Sequence, residues 1–354
     1  MIPIYPNRKI VYYLYFILIY NLFFILISPI FIQTGELIRI SDPFGPGLIR
    51  TEYSNDIVSG VAEAAEITPG IIWNSRGMPY DTLNRPQGCC LDPDSSLIYV
   101  ADTENDRVII FTTDGECLGP FLTSRPVRKP FDLIVGPDSF IYMSQLDEKF
   151  IEVFNKKGVW QTSIPRSPRR KEWELKPGRM IFDCNGRLLV NDRGSGEIWF
   201  MTKEGKVLKR QSVGKKGKVS RLLSGIALDT NGRIYVVSAQ GSPVISVLDA
   251  EGSTIDTFGR HGSLYEDSLS FPHSIAVDSK NRLWVVDAFR HTIKVFGPDK
   301  RYLFNIGEFG EKAGSFVYPV DIDMDKDGRF YVLEKGAGRL QAFSIVFEGT
   351  EGLK

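Results

Sequence analysis

The sequence predicts an all-β domain made of six copies of one antiparallel sheet unit, placed behind a single apolar N-terminal segment. Three observations predict it. The stretch Phe271 to Gly297 reads as three short apolar runs (Ile275 to Val277, Leu283 to Val286, Thr292 to Phe296) separated by polar turns. Runs this short and this rich in Val, Ile and aromatics are strand-like, and their short connections make an antiparallel meander. The same spacing recurs at five other places. The long uncharged run Ile10 to Ile32 lies outside all of them.

The repeat is defined slot by slot. Its opening position is Pro86, Pro130, Pro177, Leu223, Pro272 and Pro319, and six residues on stands Asp92, Gly136, Asp183, Asp229, Asp278 or Asp325. Three copies then turn on Asn185-Gly186, Asn231-Gly232 or Asp327-Gly328, dipeptides suited to tight hairpins. The central strand carries Tyr99, Tyr142, Leu189, Tyr235, Trp284 or Tyr331, and three residues later a polar slot holds Asp102, Gln145, Asp192, Ser238, Asp287 or Glu334. Nine residues beyond lie Phe111, Phe154, Met201, Val247, Phe296 and Phe343, the fourth copy reading one residue longer just after Val247.

These residues resemble the NHL repeat, whose typical copy runs Pro-x-Gly-Ile-Ala-Val-Asp, a turn, Ile-Tyr-Val-Ala-Asp-Thr and an Arg-Ile-Gln-Val-Phe-like strand. PQGCCLDPDSSLIYVADTENDRVIIF, from Pro86, and the copy from Pro272 fit best, while Gly136 and Leu189 depart from the pattern. The resemblance implies a six-bladed β-propeller over residues 68–354, each copy giving one four-stranded blade. The last blade lacks a fourth strand of its own. Gly70-Ile-Ile-Trp-Asn-Ser-Arg-Gly77 resembles the outer strand from Tyr302, so Ile71 to Asn74 is expected to pair with the blade of Pro319 to Phe343 and close the ring.

Ahead of the repeats, Ile10 to Ile32 contains no charge and is long enough to span a bilayer as a helix, about 20 residues being required. It is longer than a signal-peptide core, and Gln33-Thr-Gly35 makes a poor cleavage site. The expectation is therefore a retained transmembrane anchor in residues 1–32; cleavage of the segment would instead make the protein secreted. Arg8 and Lys9 before it favour a cytoplasmic N-terminus and an extracytoplasmic propeller. Residues 33–67 read as a linker, broken by Asp42-Pro-Phe-Gly-Pro-Gly47, with one or two helical turns conceivable from Val61 to Ile67.

Composition is that of a globular chain: 43% hydrophobic and 24% charged residues over 354 positions, with no net charge. The four cysteines include no CxxC pair, so they read as small buried residues.

Chemistry in such a ring belongs near its axis, at the two residues after each opening slot, where Asp132, Arg179, His273 and Asp321 are expected to converge. Two carboxylates and one His fall short of a calcium or zinc ligand set, so neither a metal nor another cofactor is expected. The resemblance also implies enzymatic alternatives, a metal-dependent lyase acting on peptidyl-hydroxyglycine or a lactonase, and an RNA-binding module if the domain were cytoplasmic. None maps residue by residue. The charge pattern points elsewhere: Lys156 to Arg221 holds 18 Lys and Arg against 6 Asp and Glu. Its candidate docking residues are Arg166, Arg169, Arg170, Lys171, Lys209, Arg210, Lys215, Lys216 and Lys218, a basic face from blades two to four. The expected partner is a protein or an anionic glycan, with nucleic acid disfavoured by an outward-facing domain.

Overall fold

The computed structural model describes residues 49–50, 65–74, 82–165, 174–215, 218–219, 222–240, 243–262 and 264–347. Six antiparallel sheets follow one another along the chain as six blades. Their innermost strands are Gly88–Leu91, Pro130–Val135, Pro177–Phe182, Leu222–Leu228, Pro272–Val277 and Pro319–Met324. Each of these adjoins the next around the axis, and the sixth adjoins the first, so the ring is closed.

Closure is made as the sequence predicts. Strand Ala65–Asn74 pairs antiparallel with Arg339–Phe347, placing Ile72 opposite Gln341, Trp73 opposite Leu340 and Asn74 opposite Arg339. Its start corrects one expectation, because residues 65–67 are strand rather than helix and pair with residues 345–347. The ladder with residues 345–347 takes up the backbone groups that helical turns would need, and further along the pairing shifts register between Pro69 and Ile72. Ile49–Arg50 adds a short edge against Ile67 and Glu66. The predicted transmembrane segment lies outside the described residues, among which no helix is long and apolar enough to cross a membrane.

Six hydrophobic clusters fill the ring, one at each junction between neighbouring blades. The repeat's slots account for them. Side chains alternate between the two faces of a strand and directly opposed residues share a face, so the central-strand slot faces one neighbouring blade and the slot nine residues beyond the polar position faces the other. Tyr99, Tyr142, Leu189, Tyr235, Trp284 and Tyr331 all pack towards the following blade. Phe111, Phe154, Met201, Phe296 and Phe343 pack towards the preceding one. In blade four that place belongs to Leu248, which stands opposite Ile234 and packs back onto blade three. Val247 instead faces blade five, so the extra residue of the fourth copy precedes Val247 and lies in the hairpin between its second and third strands. Burying each large ring is worth roughly 4–6 kcal/mol of transfer free energy before entropy is counted.

The hairpins carry a device the repeat spacing alone does not announce. Asp183, Asp229, Asp278 and Asp325 each accept hydrogen bonds from the backbone N–H two and four residues on and from the Arg four residues on. A short acceptor at the first turn position satisfies donors that the three-residue loop leaves unpaired.

Candidate functional site

The inner strands do not begin as regular strands. Pairing shifts register between Pro130 and Asp132, Pro177 and Met180, Leu223 and Gly225, Pro272 and Ser274, and Pro319 and Asp321. A bulge re-aims the side chain that follows it. In these five blades the slot two residues after the repeat's opening position is thereby turned to the axis, holding Asp132, Arg179, Gly225, Ser274 and Asp321; Gly88 is its equivalent in blade one, whose pairing is regular.

Arg179 ties this slot together. Its Nη1 donates to Asp132 at 2.9 Å and to Asp321 at 2.7 Å, and its Nη2 donates to the carbonyls of Gln87 at 2.7 Å and Val320 at 3.0 Å. The carboxylates are held from their other sides as well. Asp132 accepts from the Met180 N–H and Asp321 from the Cys89 N–H, both at 2.8 Å, and Ser274 Oγ donates to Asp321 at 2.7 Å. Each carboxylate therefore covers an N–H on the next blade's innermost edge, where no further strand can pair. Asp323, one turn of the pleat further along, does the same for the Leu91 N–H at 2.8 Å. Gly88 is glycine because a Cβ there would lie 2.6 Å from the Phe131 carbonyl and 3.1 Å from Arg179 Nη1.

Burial sets the protonation of this cluster. It pushes the Asp132 carboxyl above its ordinary value against the opposing pull of Arg179, with Asp321 adding repulsion. Burial likewise pushes Asp323 up to about 7, partly offset by the N–H groups of Leu91 and Met324. For Arg179 burial disfavours the charge, but Asp321 and Asp132 outweigh it and the guanidinium is held above its ordinary value. His273 sits one position before the slot, and its Nδ1 donates to the Val320 carbonyl at 2.8 Å. Burial, followed by Arg179, pushes it down to about 3, so at neutral pH it is an uncharged imidazole. The four sequence-predicted axial residues are thus linked: Arg179 bonds Asp132 and Asp321 directly and shares the Val320 carbonyl with His273.

A family model for the NHL repeat matches residues 269–296, the fifth copy with its lead-in. The chain is a six-bladed β-propeller whose fifth blade matches the NHL repeat. No curated protein matches it in sequence. Among solved structures, a gluconolactonase from Xanthomonas campestris superposes with a TM-score of 0.60 at 14% identity, covering 80% of this chain and 92% of its own. Virginiamycin B lyase from Staphylococcus aureus gives 0.55 at 13% identity, covering 80% of this chain and all of its own. A protein of unknown function from Bacteroides thetaiotaomicron gives 0.62 at 14%, covering 86% and 84%. At such identity the likeness is one of fold.

The propeller uses its recurrent polar slot for structure. Asp102 accepts from the Asn84 N–H, Gln145 from Arg128, Asp192 from Lys176, Asp287 from Ser270 and Phe271, and Glu334 from Val317. In every case the donor belongs to the loop that leads into the same blade. His291 accepts from the Tyr318 N–H through Nδ1, and His261 lies on an inter-blade loop, so neither joins His273. The four cysteines are free thiols, and burial pushes those of Cys89 and Cys90 well above their usual range. Among the described residues no group of three or more His, Cys, Asp or Glu is arranged to hold a metal ion.

Of the predicted basic face, Arg166, Arg169, Arg170, Lys171 and Lys216 lie outside the described residues. Lys209 donates to the Glu251 carbonyl at 2.6 Å, and Arg210 pairs with Glu197 at 2.6 Å while lying over the Trp199 ring. Lys215 and Lys218 face each other across a two-stranded ribbon, Gly214–Lys215 with Lys218–Val219.

Beyond the Arg179 clamp the axis opens into a cavity of about 810 Å³ at the end of the ring where the inner strands finish, walled by Asp132, Arg179, Asp321 and Asp323 and by apolar residues such as Ile226 and Met324. Asp323 was not singled out by sequence, because it sits two residues past the slot that the repeat makes conspicuous. The bulge, which decides what faces inward, leaves no mark in composition.

Proposed function

We propose that this chain is a binding scaffold: an extracytoplasmic propeller tethered to the membrane through residues 10–32, which presents its surface to a protein or an anionic glycan. The observation that carries this reading is that both axial carboxylates are already engaged. Asp321 accepts from three groups and Asp132 from two, and Arg179 already spans both. A metal-dependent lyase-like or lactonase-like centre in this place would first have to displace the guanidinium and uncover two N–H groups of the inner strands. Bonds of that kind build a framework instead of leaving a group free to react.

The docking surface that fits best is the basic arc between Lys156 and Arg221, whose net charge of +12 follows from 18 basic and 6 acidic residues. Because Arg210 and Lys209 are partly engaged internally, Arg169, Arg170 and Lys171 are the positions to change. Retention of the full-length protein, in detergent, on an anionic glycan matrix at low salt should be lost in the triple Glu variant of these three. Undiminished retention would remove the arc as a docking surface, and stoichiometric bound calcium or zinc in the purified protein would return the axis to an enzymatic reading.

A further inference from the structure

On the face of the ring where the inner strands begin, the seam between blades six and one holds a second cavity of about 710 Å³, which shares no lining residue with the axial one. Two loops build it, Thr82 to Arg85 and Lys335 to Gly338. They approach so closely that a Cβ on Gly338, whose φ is +59°, would lie 2.4 Å from the Leu83 carbonyl. The first loop is fixed from behind, the Asn84 N–H donating to Asp102 at 2.6 Å and its carbonyl accepting from Glu104 at 3.1 Å.

Two cations, Arg85 and Lys335, line this cavity, and neither makes an ion pair with a described residue. Burial and then the Arg85 charge lower the Lys335 ammonium below its ordinary range; Glu104 opposes this from nearby without pairing. Like charges gathered in one recess repel each other, and an anion between them relieves that repulsion. Tyr318 forms the adjoining wall, its ring 5.9 Å below Lys335 Nζ. It continues into an aromatic ledge: Phe289 lies 5.6 Å from Tyr318 and stacks on Phe271 at 4.6 Å, yet Phe289 is 55% exposed. The exposed Phe289 ring, continued by the half-buried Tyr318, beside a cation pair without a carboxylate partner suits a ligand with one flat apolar face and one negative group.

We infer that this seam binds an acidic sugar, with the C–H face of a pyranose on the Tyr318–Phe289 ledge and its carboxylate or sulfate between Arg85 and Lys335. The volume lies within the range of small-ligand pockets, roughly 300–1,000 Å³. The inference rests on the scaffold reading only in treating the sugar as bound and not transformed, and it makes no use of the basic arc of blades two to four.

The test is calorimetric titration of the full-length protein in detergent with tetragalacturonate, a chondroitin sulfate tetrasaccharide, neutral maltotetraose and inorganic sulfate. The two acidic oligosaccharides should bind and maltotetraose should not. Arg85→Gln and Lys335→Gln should each weaken binding at least about tenfold, the size of one charge-assisted hydrogen bond. Phe289→Ala should weaken the oligosaccharides while leaving the melting temperature unchanged. Changing Arg169, Arg170 and Lys171 to Glu should leave these affinities as they are. Equal binding of maltotetraose, undiminished binding in both Gln variants, or sulfate alone matching the oligosaccharides would overturn the inference. Loss of binding in the arc variant but not in the Gln variants would also overturn it while leaving the scaffold reading intact.

Discussion

Arg179 and Asp321 stand 142 positions apart in sequence and meet at 2.7 Å on the axis, with both side chains almost wholly buried. Blade three is thereby joined to blade six across the ring, and Asp132 adds blade two through the same nitrogen at 2.9 Å.

Replacing Arg179 by Met should therefore leave two carboxylates buried without a counter-charge. A loss of about 3–5 kcal/mol at pH 8 is expected from denaturant unfolding. The deficit should shrink towards pH 5. Without the guanidinium the native carboxyls bind protons more readily than the unfolded ones, so native stability rises as pH falls. A deficit that does not change with pH would contradict the electrostatic account.

Asp323 makes a separate prediction. Its native carboxyl is pushed up to about 7, above the ordinary value of 3.8, because burial outweighs its two N–H donors. The native state thus holds a proton that the unfolded state releases between about pH 4 and 7, and stability from this group falls as pH rises through that window. Asp323→Asn should remove up to about 4 kcal/mol of that decline. Melting curves of both proteins from pH 4 to 8 read it directly: the variant should lose less on going to pH 8.

Strand Ala65–Asn74 closes the ring, so deleting residues 68–77 should expose the edge of Arg339–Phe347. The melting temperature should drop by more than about 10 °C, and soluble oligomers should appear on gel filtration. A deletion variant that melts with the parent would show that the strand is dispensable.

Asn191 is fully buried in blade three, and its amide nitrogen and oxygen both lack a hydrogen-bond partner. The corresponding places in blades four and five hold Val237 and Val286. Asn191→Val should stabilise the protein by about 1–2 kcal/mol by removing an unpaired polar group. Destabilisation of that size would mean the amide is paired to buried water.

The repeat spacing was enough to name the slots. Tyr99 and its equivalents, the polar positions from Asp102 to Glu334 and the closing role of Ile71 to Asn74 could all be read from the sequence, because each is a local pattern of strand, turn and alternation repeated six times. The gathering of Asp132, Arg179 and Asp321 followed from one slot recurring around a ring, with His273 from the position just before it. What the sequence could not supply is which groups those side chains satisfy: that Asp321 covers the Cys89 N–H, that Asp323 joins it, or that Arg85 and Lys335 share one recess. Those contacts join the first and sixth blades, and their geometry depends on bulges and loop approaches set by the closed ring. A linear pattern specifies which way a residue points along its own strand; only the tertiary structure decides what it meets there.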